Sequence, residues 1–296
     1  MTTFGVHTGL QRTEMAELRA LWRRIEELGF DWISIWDHFY AADLSDYHCH
    51  EAVAAHAALA CSTDRVRCGS LVYCAAYRHP AVLANAITTI DHLSGGRADL
   101  GIGAGWSEAE YRAYGIPFPG PKQRLDILEE AARAIRSLLR NEVTDLHGTH
   151  FDLTDARCEP KPVQAALPIW IGGGGEKRTL KIVAELADGW NVPFVDPDAF
   201  ARKRSVLRSY CEAIDRDPAE IRCAVNVGLA WDDDSLRSQF GGLAEFVRPG
   251  VLTGSDEEVV DRIGTYVEGG ADQVNIALRA PWDVEALERL APLLPR

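Results

Sequence analysis

Residues 14–39 read EMAELRALWRRIEELGFDWISIWDHF, and the fold turns on how this stretch divides. Met15, Leu18, Leu21, Trp22, Ile25 and Leu28 recur at helical spacing, which predicts a helix over Glu14–Leu28 that stops at Gly29. Trp32-Ile33-Ser34-Ile35-Trp36 follows at once as a β-rich run. Asp37-His38-Phe39 then falls just past the carboxyl end of that strand.

The same alternation runs outward in both directions. Before it, Thr3–His7 reads as a first strand. After it come an Ala-rich helix over His50–Cys61, a strand over Arg65–Val72, a helix over Pro80–Leu93 with proline in its first turn, and a strand over Arg97–Gly103. The next clear helix waits until Lys122–Leu139, so the Gly- and Pro-rich connection before it is long for plain scaffolding. Val143–Leu153 reads as a small hairpin around His147-Gly148. Further strands are predicted at Pro168–Ile171, Gly189–Val192, Ile221–Ala230 and Gln273–Leu278, and helices at Lys177–Ala187, Ala199–Ile214, about 255–268 and Val284–Leu294. The helix near 255 opens on Ser255-Asp256-Glu257-Glu258, a capping box. About eight βα units in 296 residues, with no repeat and no linker, predict one α/β domain over 1–296. Its expected form is a (β/α)8 TIM barrel with insertions in the loops at the carboxyl ends of the strands, where such barrels place their chemistry.

Composition narrows the function. Lys+Arg 31 against Asp+Glu 44 leaves a net charge of −13, which repels polyphosphate backbones and anionic lipid surfaces, so neither nucleic acid nor membrane is an expected partner. No apolar run reaches a bilayer-spanning length and the first residues lack a basic-then-apolar leader, so the expected location is cytoplasmic. Seven cysteines with no CxxC pair predict reduced thiols.

Two glycine loops invite comparison with nucleotide-binding motifs. Gly101-Ile102-Gly103-Ala104-Gly105 lacks the third glycine of the dinucleotide fingerprint, since position 106 is Trp. Gly172–Gly175 lacks the Gly-Lys-Thr ending of a Walker loop. Four glycines between a strand and a helix nonetheless expose N–H groups at a positive helix end, so a single phosphate and a flexible turn are both open readings there. His38, beside Asp37 at a strand end, is the candidate for proton transfer near neutrality. His48-Cys49-His50-Glu51 with His56 lacks the spacing that aligns two ligands, and Asp232-Asp233-Asp234 reads as a solvated helix start because it lacks the pattern of a calcium loop, so no metal is expected. No Gly-x-Ser-x-Gly elbow is present for serine hydrolysis.

Read together, several segments resemble the luciferase-like monooxygenase superfamily, particularly its branch using the deazaflavin coenzyme F-420 (F420). The resemblance rests on Arg78-His79-Pro80-Ala81-Val82-Leu83-Ala84, Asp91-His92-Leu93-Ser94-Gly95-Gly96-Arg97, Gly101 to Trp106, Glu110, and Tyr114-Gly115-Ile116-Pro117. Ser34 to Phe39, Ile171-Gly172-Gly173 and Ala187 to Asn191 add to it. It implies a TIM barrel with the cofactor across the carboxyl ends of the strands and Trp106–Pro121 as an insertion bordering the pocket. It further implies a bulge with a non-proline cis peptide within Ser70-Leu71-Val72, and the cofactor's phosphate on Gly172, Gly173, Gly174 and Gly175. Ala104, Gly105 and Trp190 join Ser70, Leu71 and Val72 as implied cofactor contacts. His38 and Asp37 become the implied catalytic pair, with Asp37 orienting His38. Tyr40, Tyr73 and Trp106 are candidates for an aromatic-walled substrate pocket. The implied reaction is hydride transfer between F420 and a small organic substrate; an FMN-dependent monooxygenase and a non-catalytic ligand-binding barrel are the alternatives. The implied assembly is a homodimer.

Overall fold

The computed structural model describes residues 2–295. Eight parallel strands close into a barrel: β1 (Thr3–Thr8), β2 (Trp32–Ile35), β3 (Arg67–Ser70), β5 (Ala98–Gly103), β8 (Ile169–Gly172), β9 (Gly189–Pro193), β10 (Arg222–Leu229) and β12 (Gln273–Leu278), with β12 pairing back onto β1. Two short strands extend the ladder at its carboxyl end, β4 (Tyr73–Cys74) beside β5 and β11 (Val251–Leu252) beside β10. A two-stranded antiparallel hairpin, β6 (Thr144–His147) and β7 (Asp152–Ala156), stands apart. The helices between strands form the outer layer: α1 (Met15–Glu27), α2 (Ala52–Ser62), α3 (Pro80–Ser94), α5 (Pro121–Arg140), α6 (Thr179–Leu186), α7 (Pro197–Glu212), α10 (Asp256–Glu268) and α11 (Val284–Leu290). This is a (β/α)8 TIM barrel.

Side-chain size sets the layers inside the barrel. Near its amino end the indoles of Trp32 and Trp170 fill the lumen with ring centroids 5.7 Å apart, and both N–H groups donate to Asp99, at 2.8 and 3.3 Å. Gly69 and Gly189 make room for them, because a Cβ at either position would stand 2.3 Å from an indole carbon. A polar layer lies next to this plug, where the amides of Asn191 and Asn275 both donate to Asn226 Oδ1. Paired buried amides of this kind avoid the cost of burying an unbonded polar group.

The strand predicted over Arg65–Val72 is broken in the structure. It stops at Ser70, a cis peptide joins Leu71 to Val72, and the chain resumes as β4. The Ser70 hydroxyl donates to the carbonyl of Gly101 and accepts from its N–H, both at 3.0 Å, which ties β3 to β5 at the break. Val72 thereby sits inside the barrel: a Cβ on Gly103 or Gly172 would lie 2.5 or 2.8 Å from its methyl groups.

Two stretches are more ordered than their sequence suggests. The long connection after β5 contains α4 (Glu108–Ala113), and the helix start read at Asp232–Asp234 extends into a full α8 (Asp233–Phe240), with the Asp232 side chain accepting from Ser235 N. A short α9 (Ala244–Val247) follows before β11. Few apolar residues in these segments recur at helical spacing, so periodicity misses them. The capping box at Ser255 is formed as its pattern predicts. No helix among the described residues is long and apolar enough to cross a membrane.

Two histidines are buried uncharged, His56 behind the strands and His7 on the inner side of β1 beside Ser34 and Trp36. His56 donates from Nε2 to the Cys68 carbonyl at 3.0 Å, which leaves Nδ1 to accept the Tyr73 hydroxyl at 2.9 Å; burial pulls its pKa down to about 4. His7 is lowered too, by burial first and then by Arg279 and His38. Both contribute stability that is fully present above the unfolded value near 6.5 and is lost as pH falls, because the unfolded chain takes up the protons. Urea unfolding between pH 6.5 and 4 is expected to show a stability slope of up to about 1.4 kcal/mol per pH unit for each histidine. His56→Gln should remove one proton's share of that slope.

Candidate functional site

The loops leaving β2, β3, β5 and β8 gather at the carboxyl end of the barrel. The β2 exit carries Asp37 and His38, which diverge. Asp37 turns back to Arg78, accepting from it at 2.6 and 3.0 Å, and receives the Cys74 N–H at 2.9 Å. His38 pairs instead with Glu110 of α4, its Nδ1 lying 2.8 Å from Oε2. The expectation that Asp37 orients His38 is therefore corrected: the partner is Glu110, and Asp37 fixes the loop around Arg78.

Glu110 is enclosed, with its side chain 1% exposed against 13% for the His38 ring. Its other oxygen accepts the Phe39 and Tyr40 N–H groups, at 2.5 and 3.1 Å, and the Tyr77 hydroxyl donates to Oε2 at 3.2 Å. Burial pushes this carboxyl up, but the bonds from His38 and the two amides outweigh it and hold the group below its ordinary value. Glu110 is thus an anion at neutral pH and accepts from His38, which puts a proton on Nδ1. Nε2 of His38 has no protein partner among the described residues. Trp36 and Trp106 stand edge-on to the imidazole, with centroids 4.8 and 5.4 Å away. A histidine so held presents one free nitrogen at a fixed place, the requirement for a proton donor or acceptor.

Across the mouth, β8 runs into the glycine loop. Gly173 sits at φ +122°, its N–H donates to Asn191, and its carbonyl accepts the Trp190 indole N–H at 2.9 Å. Lys203 Nζ donates to the Gly174 carbonyl at 2.7 Å and pairs with Glu176 at 3.1 Å. The N–H groups of Gly174 and Gly175 have no acceptor among the described residues. Held carbonyls and free amides beside the start of α6 form a cradle suited to a phosphate. A Cβ on Gly175 would stand 2.7 Å from Thr179 Oγ1, so side chains would close it.

The other anticipated residues divide. Leu71 packs in the lumen with Trp32, Trp170 and Ala224, and Val72 lies beside that cluster. Ala104 and Gly105 line the β5 exit, with Gly105 at φ +73° against Tyr111 and Cys74. Trp106, 57% exposed, and Tyr40 rim the mouth. Three residues are buried away from it. Ser70 spends its hydroxyl between strands, Tyr73 packs into the helix layer against His56, and Trp190 stacks on Phe200 beneath the glycine loop it braces. Tyr73 is thus corrected from pocket wall to core, and Ser70 and Trp190 from cofactor contacts to supports. Glu110 carries no role in the sequence reading, since nothing local links it to a histidine 72 positions away. His50 and Glu51 anchor α2, through Thr13 and Ala54, and no cluster of three metal-binding side chains occurs among the described residues.

Comparison with known proteins gives this geometry a context. Residues 1–239 match the family model of the luciferase-like monooxygenases. The chain is 35% identical over 218 residues to an F420-dependent glucose-6-phosphate dehydrogenase of Amycolatopsis mediterranei, covering 71% of this chain and 64% of the relative. It is 30% identical over 250 residues to a 5,10-methylenetetrahydromethanopterin reductase of Archaeoglobus fulgidus, covering 84% and 70%. Among solved structures it superposes on an F420-dependent secondary alcohol dehydrogenase in complex with an F420–acetone adduct, with a TM-score of 0.87 at 19% identity over 99% and 98% of the two chains.

Removing the Glu110 carboxylate leaves two buried amides and an imidazole N–H without an acceptor. Glu110→Ala is expected to destabilise the fold by about 2–4 kcal/mol, read from urea unfolding at neutral pH. A loss below about 0.5 kcal/mol, the range of ordinary surface changes, would show that the carboxylate is not the organiser of these loops.

Proposed function

From membership of the luciferase-like monooxygenase family, to which the chain belongs, we propose that it is an F420-dependent oxidoreductase acting on a small organic substrate, with His38 exchanging the proton that accompanies hydride transfer. The observation that carries this reading is the Glu110-held imidazole with its free Nε2 at the barrel mouth. The choice of cofactor is supported by a relative at 35% identity named for F420.

The residues present fit such a cofactor. Gly174 and Gly175 offer unpaired amides for its phosphate, and Val72 with Ala104 and Gly105 would support its ring. When bound, F420 supplies a carbon where flavin has N5, which favours two-electron hydride exchange and slows reaction with oxygen. Nε2 of His38 accepts or returns the substrate proton, and the Glu110 anion holds the tautomer and offsets the imidazolium charge. Trp36 and Trp106 keep water from the sides of the ring. Asp37 and Arg78 keep the β2 loop at its height through an ion pair away from the reacting atoms.

His38→Ala is expected to lower turnover by ~10²–10⁴-fold while changing F420 affinity little, since the glycine loop is a separate anchor. Turnover near wild type at saturating cofactor would remove the proton-exchange role. Gly173→Val forces a β-branched residue into a left-handed conformation at a cost of ~1–3 kcal/mol and distorts the cradle. F420 affinity should fall at least about tenfold, or 1.4 kcal/mol, with the far-ultraviolet circular dichroism unchanged. Undiminished affinity would place the phosphate elsewhere.

A further inference from the structure

Strand β12 ends on a residue that neither the barrel nor the proposed proton exchange uses. Arg279 is 4% exposed and donates only from Nη1, to the carbonyls of His7 at 3.2 Å and Leu278 at 2.7 Å. Its Nε and Nη2 have no protein acceptor, and no carboxylate pairs with it among the described residues. The guanidinium instead lies 4.0 Å from the centre of the Trp36 ring and 5.8 Å from that of Phe240. The side chains placed against it are a neutral histidine (His7), the Trp36 indole, the Phe240 phenyl and the Gln11 amide, while Asp43, beside Gly241 on the next turn, is paired with Arg12.

A buried cation without a counter-charge is a costly feature, and proteins normally pair it or remove it. Burial alone pulls Arg279 down to about 9, so it remains charged at neutral pH. Further groups nearby are unmatched: Trp36 Nε1 and Gln11 Oε1 are both enclosed without a partner. Gln11 is tied to the place by Gly9, where an added Cβ would crowd both Gln11 Oε1 and Arg279 Cδ. Most decisive is Trp36, which packs against both residues: the Arg279 guanidinium lies 4.0 Å from its ring centre and the His38 ring 4.8 Å from it, edge-on.

We propose that Arg279, stacked on Trp36, is the subsite for a carboxylate of the substrate, so that the molecule reacting beside His38 is a small organic acid. This rests on the reading of His38 as the reaction centre and adds to it the substrate class. One guanidinium in an otherwise apolar and neutral setting matches a single negative charge, whereas a phosphate dianion would leave excess charge buried. The fork of Arg also matches the two oxygens of a carboxylate in plane. Because Arg279 and His38 both pack on the Trp36 indole, a small acid held by the guanidinium would lie in the neighbourhood of His38.

The test uses benzoate, its uncharged analogue benzamide, and inorganic phosphate, titrated into cofactor-free protein by tryptophan fluorescence, with F420 affinity measured separately on each variant. Wild type should bind benzoate at least about tenfold more tightly than benzamide or phosphate, and Arg279→Met should reduce that preference to within about twofold while keeping its F420 affinity. Equal binding of benzoate and benzamide, tighter binding of phosphate, no benzoate binding, or a preference that survives in Arg279→Met would each overturn the assignment. Should Arg279→Met not fold, Arg279→Lys carries the same test, since losing the fork should cut the preference at least about threefold. An unchanged preference in that variant is contrary to the proposal. Failure of wild type to bind F420 would count against the cofactor reading and leave the benzoate comparison intact.

Discussion

The carboxylate of Glu110 serves several masters from one buried position: an imidazole and a tyrosine hydroxyl on one oxygen, two backbone amides on the other. Those amides belong to the loop leaving β2, and Glu110 itself belongs to the connection leaving β5. The bond is therefore what joins two long excursions over the barrel mouth. It also fixes which nitrogen of His38 is occupied and which is free. Because Glu110 is enclosed and held ionised, the arrangement does not depend on solvent to keep its charge. The edge-on contacts of Trp36 and Trp106 to the imidazole follow from the same anchoring.

Beneath the loops, the barrel supplies a floor by leaving out side chains. Glycines at 101, 103 and 172 admit Val72, brought inward after the cis peptide, while Gly69 and Gly189 admit the two indoles at the opposite end. Bulk enters the lumen from few positions, each matched by a neighbour with none. The glycine loop after β8 extends the same economy to the surface: Asn191, Trp190 and Lys203 hold its backbone, and the remaining amides are left to face outward.

The barrel was legible because its strands and helices carry their own periodicity. Gln273–Leu278 is found with the boundaries expected, and the helix predicted over Glu14–Leu28 differs by a residue at each end. α4, which sequence reading passes over, and α8, of which it finds only the acidic start, lack a strong apolar stripe of their own. The site was legible in location and not in wiring. His38 and the glycine loop stand where a strand end and a helix start place them, but adjacency in sequence favoured Asp37 as the partner of His38, while adjacency in space supplies Glu110. Tyr73 and Trp190 were misassigned for a related reason: a bulky residue at a strand end can face the lumen or the helices, and a break in the strand, as between β3 and β4, shifts the alternation that would decide. The unpaired charge of Arg279 had no sequence signal either, since only the packed structure shows the anions that are absent around it.

On the proposed function, this barrel mouth binds a deazaflavin. Parallel equilibrium titrations of the purified protein with F420 and with FMN, following the fluorescence of each cofactor, test that most directly. F420 should bind at least about tenfold more tightly than FMN, a difference of about 1.4 kcal/mol, and in its reduced form should stay reduced in air until an organic acceptor is added. Tighter binding of FMN, with peroxide formed on its reduction in air, would contradict the account.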